Sequence, residues 1–172
     1  MIIKILDKEG QILPSNAHPS DSGYDLTATS DPKIVGVKDT VIGGFYKRID
    51  YIEYDTGIQI EHESITSLYG FTQVYPRSSI SKYNLMLKNS VGVIDHQYRD
   101  SIKLRFAYLW QIEDIRHVGS LTFIEINKDK IYKKGDKIGQ LLGMFKQNID
   151  WKVVNKLNDS DRNMGGFGST GL

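Results

Sequence analysis

Apolar residues in this chain recur at every second position, in runs too short and too often interrupted for helices. Over residues 101–110, Ile102, Leu104, Phe106, Tyr108 and Trp110 fall on one side of an extended strand, and Lys103 and Arg105 on the other. A helix would scatter those five residues around its axis; only a half-buried strand gathers them on one face. Further β-rich runs are 57–60, 69–75, 85–87, 120–126, 137–145 and 151–154, with Gly, Asp, Asn and Pro between them. Residues 79–83 are the single candidate for a short helix. Many short strands with frequent turns predict an all-β fold, a jelly-roll-like sandwich or barrel.

Length and charge then narrow the function. The chain has 172 residues, 40% of them hydrophobic, which is enough for one domain with a sizeable core. Its 22 basic and 21 acidic residues are well mixed and leave a net charge of +1, so no basic face for nucleic acid is expected. There is no cysteine, which excludes disulfides, thiolate nucleophiles and cysteine-based zinc sites. His18, His62, His96 and His117 form no ligand-spaced pair. No apolar run reaches the roughly 18 residues of a membrane span, and residues 1–6 are too short for a signal peptide. The expectation is a soluble, cytoplasmic protein without membrane or nucleic-acid partners.

The C-terminus carries an unusual selection. Residues 162–172 combine Arg162, Phe167, Ser169 and Thr170 with four glycines in the last eight positions. Such a backbone is entropically costly to hold still. A guanidinium, bare amides and hydroxyls suit a phosphate chain, and one ring suits a base. This reads as an arm that orders over a nucleotide, tethered by the polar hinge at 158–161. Gly166-x-Gly168-x-x-Gly171 mimics a dinucleotide-binding fingerprint, but no helix follows it, so that reading is rejected. The organisation expected is a β domain over 1–157, with a longer insertion around 106–130, and a hinge and arm over 158–172.

Four polar islands separate the strands: 21–26 with Asp25, 76–80 with Arg77, Ser78 and Ser79, 89–98 with Asn89, Asp95 and Tyr98, and 135–141 with Gln140. Each alone is an ordinary loop. With the arm they form an ordered set of five, and in that order the chain resembles the trimeric deoxyuridine triphosphatases (dUTPases) from about residue 21 to the end.

The resemblance implies hydrolysis of dUTP to dUMP and pyrophosphate with Mg²⁺, lowering dUTP and supplying dUMP for thymidylate synthesis. Asp95 matches the aspartate that activates the water attacking the α-phosphorus. Tyr98 matches the ring beneath the deoxyribose. Asn89 and the backbone of Gly92, Val93 and Ile94 match the hairpin that reads uracil; buried polar mismatches of this kind discriminate by about 10⁴-fold. Arg77, Ser78 and Gln140 match contacts to the α- and β-phosphates, with Ser79 beside them. Arg162 matches the arginine finger on the γ-phosphate, with Gly168, Ser169 and Thr170 nearby, and Phe167 matches the ring closing over uracil. Mg²⁺ is implied to ride on the triphosphate without a direct protein ligand, Asp25 acting indirectly, through hydrogen bonds or an outer-sphere contact. A homotrimer is implied whose sites draw on three chains: Arg77, Ser78 and Gln140 from one, Asn89, Asp95 and Tyr98 from a second, Arg162 and Phe167 from a third.

The chain also departs from the family pattern. Gln97, Asp100, Asn163 and Met164 are unusual at their positions, and the stretches 43–54 and 98–135 are long, which leans towards a viral or phage origin. His96 is read as a solvent-facing hairpin residue in preference to a proton relay beside Asp95. Deoxycytidine triphosphate deaminase, of the same fold, is disfavoured because Arg105 stands where its catalytic glutamate is needed, and a guanidinium cannot accept that proton. The remaining alternative is a regulatory protein that binds a repressor through the insertion at 109–118. Against it stands a longer hairpin packing its own Trp110.

Overall fold

The computed structural model describes residues 1–40, 43–64 and 69–160. Among them the chain runs β1 (Ile3–Ile5), β2 (Tyr24–Thr27), β3 (Lys33–Lys38), β4 (Phe45–Asp55), β5 (Ile60–His62) and β6 (Gly70–Tyr75). A 3-10 turn (Ser78–Lys82) leads to β7 (Leu85–Leu87), β8 (Gly92–Ile94) and β9 (Lys103–Tyr108). A second 3-10 turn (Ile112–Asp114) precedes β10 (Ile115–Val118), β11 (Leu121–Glu125) and β12 (Lys137–Phe145). The expected all-β class is observed, and none of the described helices is long and apolar enough to cross a membrane.

Alternation becomes architecture through β4, the longest strand. β3 pairs along one edge of β4, while β9 and β11 divide the other: Ile52 lies opposite Phe106, and Tyr46 opposite Ile124. This six-stranded sheet runs β10-β11-β4-β9-β7 with β3 branching from β4. The four-stranded sheet runs β2-β12-β6-β8, and β1 pairs with β5. One apolar cluster draws on both large sheets, with Ile52, Tyr54, Leu104 and Phe106 from the first and Leu26, Val74, Ile138 and Leu141 from the second. That is the packing of a sandwich. Tyr54, Phe106 and Tyr132 meet edge to face at its centre; the Tyr54 hydroxyl donates to the Tyr132 carbonyl at 2.8 Å, while the buried Tyr132 hydroxyl has no hydrogen-bond partner among the described residues.

Three expectations are corrected. The run at 101–110 buries Ile102, Leu104, Phe106 and Tyr108, but Trp110 is 54% exposed. The strand stops at Tyr108 because Asp114 accepts from both the Tyr108 hydroxyl (2.7 Å) and the Gln111 amide (2.8 Å), which turns the chain. A hairpin does form, from β10 and β11, while Trp110 stays more than half exposed. Residues 151–154 form no strand and pair with no strand among the described residues, and Trp151 and Val153 are 88% and 98% exposed. The run 57–60 starts late, at Ile60. Gly57 has φ +69°, and its amide donates to Asp55 Oδ1 at 2.8 Å, so a turn occupies its first residues. The short strands β1, β3 and β10 lacked enough alternation to be read. The long stretch at 43–54 is the main strand of the larger sheet.

Candidate active site

Asp25 sits on β2 and is only 5% exposed, which by itself would make a carboxylate costly. Two cations compensate. Lys137 Nζ donates to Oδ2 at 2.9 Å, and Arg77 Nε lies 2.7 Å from Oδ1. The Arg77 contact is an ion pair without a well-directed hydrogen bond. Burial pushes the Asp25 carboxyl up, but the Lys137 hydrogen bond and the Arg77 charge outweigh it and hold the carboxyl below its ordinary range. Arg77 follows β6 in extended conformation and opens the 3-10 turn holding Ser78 and Ser79, with Nη1 3.5 Å from the Ser79 hydroxyl. Gln140, on β12, lies between Asp25 on β2 and Tyr75 on β6. Asp25, Arg77, Ser79, Lys137 and Gln140 thus meet at one end of the smaller sheet.

Lys137 was not legible as a member of this group. In a regular strand, residues three apart face opposite sides, so Lys137 and Gln140 would separate. The register shifts between Lys137 and Gly139, and this irregularity brings both to the partly exposed side. A Cβ at Gly139 would come within 2.7 Å of the Leu104 side chain and 3.2 Å of the Tyr75 carbonyl oxygen, so a larger residue there would force its neighbours to shift.

β7 and β8 are neighbours in sequence that enter different sheets: β7 pairs with β9, and β8 with β6. Each is the last strand of its sheet's path, so the connection through Asn89 is splayed open. Ser90 takes φ +58° at its tip, a left-handed conformation that a serine adopts at some cost. A cleft of about 720 Å³ opens between the two edges, lined by Asn89, Gly92, Val93 and Ile94 together with Lys103 and Arg105. Arg105 is engaged: Nε lies 2.7 Å from Glu53 Oε2, and its guanidinium lies 4.5 Å from the Tyr51 ring centre. Glu53 also pairs with Lys33 at 3.8 Å.

Asp95 is the first residue beyond β8, and it is exposed. The Tyr98 amide donates to its carbonyl at 3.0 Å, closing a turn, and the Tyr98 hydroxyl donates to the Ser101 carbonyl at 3.0 Å. Burial and the neighbouring Asp100 raise the Tyr98 pKa, so it remains a neutral phenol. Asp95 and Tyr98 line a second cleft of about 760 Å³, with Val93, Tyr69, Gln97 and Lys146. His96 is half-buried, and its ring turns towards β6. Arg77, Ser78 and Gln140 do not line this cleft. One chain therefore presents the cationic cluster, the open hairpin and the Asp95 turn as separate groups. Arg162, Phe167, Gly168, Ser169 and Thr170 lie outside the described residues.

Comparison with known proteins decides the family. The dUTPase family model matches residues 9–171. The deoxyuridine 5'-triphosphate nucleotidohydrolase of Finegoldia magna is 32% identical over 172 residues, covering 99% of both chains. That of Clostridium acetobutylicum is 32% identical, covering 99% of this chain and 95% of its own. The chain belongs to the dUTPase family. It is accordingly a dUTP diphosphatase. The dUTPase of Staphylococcus bacteriophage 80alpha in complex with dUPNHPP shares the fold, with a TM-score of 0.68 and 18% identity over 99% of each chain. Beside the residues legible as dUTPase motifs, the geometry adds Lys137 at the cationic cluster and Tyr69 and Lys146 at the Asp95 cleft. No spacing rule could have found the last two, because β6 and the end of β12 bring them there only after pairing.

Proposed function

We propose that this dUTPase cleaves dUTP between the α- and β-phosphates, with Asp95 as the general base for the attacking water. The observation that carries this reading is the exposed Asp95 carboxylate at the end of β8, next to a hairpin whose two strands have left each other for different sheets. Unpaired backbone there gives donors and acceptors in fixed order, which suits uracil and leaves cytosine mismatched. Asn89, Gly92, Val93 and Ile94 take that role, and Tyr98 closes the sugar side against a 2′-hydroxyl. Arg77, Ser78, Ser79 and Gln140 hold the phosphates, and the Lys137–Asp25–Arg77 pairing orients the guanidinium. Arg162 and Phe167, with Gly168, Ser169 and Thr170, act from the C-terminal arm, which with its hinge spans 158–172 beside the 1–157 domain.

The donor set at the cationic cluster (guanidinium, ammonium, hydroxyl, amide) fits phosphate oxygens and not a metal. Both Asp25 oxygens already face cations, so Mg²⁺ fits as an ion held by the triphosphate itself. When bound it neutralises phosphate charge. A dUTPase of phage phi11 coordinates a structural Mg(II) ion.

The groups that one chain keeps apart would meet in a homotrimer. Residues 149–157 support this: Ile149, Trp151, Val153 and Leu157 are all more than 60% exposed, and a second copy would cover them. We place the enzyme in the cytoplasm. The test is pyrophosphate release from dUTP, dCTP, dTTP and UTP with Mg²⁺. Release from dUTP alone is expected, and Asp95→Asn should bind nucleotide without turnover. Comparable release from dCTP or UTP, or an active Asp95→Asn, overturns the reading.

A second, regulatory role through the insertion is favoured by one observation. Leu109, Trp110 and Ile112 are 42%, 54% and 78% exposed on one short stretch, a concentration that suits a protein contact. Phage 80alpha dUTPase is described as controlling transfer of virulence genes. Trp110→Ser should leave dUTP turnover and oligomer mass unchanged if this face is free for a partner; a changed mass would assign it to contacts between copies.

A further inference from the structure

Asp95 lies one residue beyond the last β6–β8 pair, where no ladder bond restrains its backbone. Continuing the register of Thr72 opposite Ile94 sets Phe71 opposite Asp95 and Gly70 opposite His96. No backbone bond forms at that last position. Instead the His96 ring reaches across, with Nδ1 3.1 Å from the Gly70 carbonyl. A carbonyl only accepts, so Nδ1 carries the proton. Nε2 lies 3.4 Å from the Ser64 hydroxyl.

Ring contacts hold the imidazole on two further sides. It stacks on His62 (centroids 6.0 Å apart, planes at 25°) and meets the edge of Tyr69 at 5.2 Å. His62 is 2% exposed, and among the described residues neither of its ring nitrogens has a hydrogen-bond partner, so it serves as a buried platform. The same turn is fastened once more to β5. Arg99 Nη1 donates to the His96 carbonyl at 2.7 Å, while its Nε lies 3.7 Å from Glu61.

We propose that His96 is a positioning residue: its side chain replaces the missing ladder bond, extends the β6–β8 pairing past its end, and so aims the Asp95 carboxylate. The inference rests on the proposed role of Asp95. It assigns His96 neither of the roles read from sequence. Both ring nitrogens are engaged away from the Asp95 carboxylate, so it is no relay, and it is anchored, not solvent-facing.

The experiment compares wild type, His96→Asn and His96→Phe, with Asp95→Asn as a control. The Asn Nδ2 overlays the imidazole Nδ1 and can keep the Gly70 bond, but it does not titrate. Phe keeps the stacking and loses the bond. In His96→Phe, kcat should fall about ten- to a hundredfold, the loss expected from displacing a reacting group by about 1 Å. KM and the affinity for a non-hydrolysable dUTP analogue should stay within twofold. His96→Ala replaces it if the larger ring prevents folding. His96→Asn should keep kcat within threefold and the wild-type pH profile. Wild-type kcat in His96→Phe overturns the inference. So does a His96→Asn protein that loses as much as His96→Phe together with one limb of the pH profile, which would mark a proton relay. Turnover in Asp95→Asn would instead remove the reading of Asp95 itself.

Discussion

Asp25 is the residue whose environment departs furthest from what its sequence neighbours indicate. It reads as an acid acting through hydrogen bonds or an outer-sphere contact to a metal, and it is a buried anion between Arg77 and Lys137. Its lowered pKa has a thermodynamic sign. The unfolded chain binds the proton more readily, so the stabilisation is present above the ordinary aspartate value of 3.8 and is lost as pH falls through the lowered folded value. Asp25→Asn should therefore reduce stability at pH 7 by about 1–2 kcal/mol, less than a fully buried pair because both cations keep access to water. The difference from wild type should shrink as pH falls below 3.8 through the lowered folded value, and urea unfolding across that range and at pH 7 checks both. KM for dUTP should rise, since Arg77 loses its orientation. Arg77, Ser78 and Gln140 were expected to act together from motif order, and Arg77 and Gln140 do meet at one end of the smaller sheet. Lys137 was not expected there, because a register shift placed it.

Among the elements, the β7–β8 connection and β5 govern the Asp95 side of the site. Ser90 holds φ +58° where glycine would be unstrained. Ser90→Gly should raise stability by about 0.5–1 kcal/mol in urea unfolding, the left-handed cost less the extra chain entropy of glycine. Affinity for a dUTP analogue should change little, because the base contacts proposed lie in the flanking backbone. β5 contributes His62, whose pKa is lowered by burial and then by His96 and Arg99. The unfolded histidine takes up its proton first. Stability should hold above about pH 6.5 and decline as pH falls towards the lowered folded value. His62→Phe should flatten that decline. Thermal unfolding of both proteins between pH 5 and 7.5 measures the difference. A strand of three residues, Ile60–His62, gave no periodic signal of its own, and its role under the Asp95 turn exists only through contacts with His96 and Arg99.

For the whole molecule, the separation of the cationic cluster from the Asp95 cleft makes assembly the decisive question. Asp95→Asn and a protein lacking residues 162–172 should each be inactive for different reasons. Refolded together, they should form mixed trimers in which some sites take Asp95 from one chain and the arm from another. Activity should reappear although neither parent has any. Mixed trimers shown by mass, with activity still at the parental floor, would refute the shared site.

Periodicity two in 101–108, with the other β-rich runs and the turn residues between them, sufficed for the all-β class, because strand parity is a local property. Motif order sufficed for the family, since each motif is a short stretch whose chemistry does not depend on its neighbours. What the sequence could not determine is non-local. The end of β9 at Tyr108 depends on Asp114, the facing of Lys137 on an irregularity opposite β2, and the exposure of residues 151–154 on pairing with none of the described strands. The anchoring of His96 depends on Gly70 and Ser64, 26 and 32 residues away. Each is decided by pairing and packing between distant segments, and those contacts exist only once the sheets have formed.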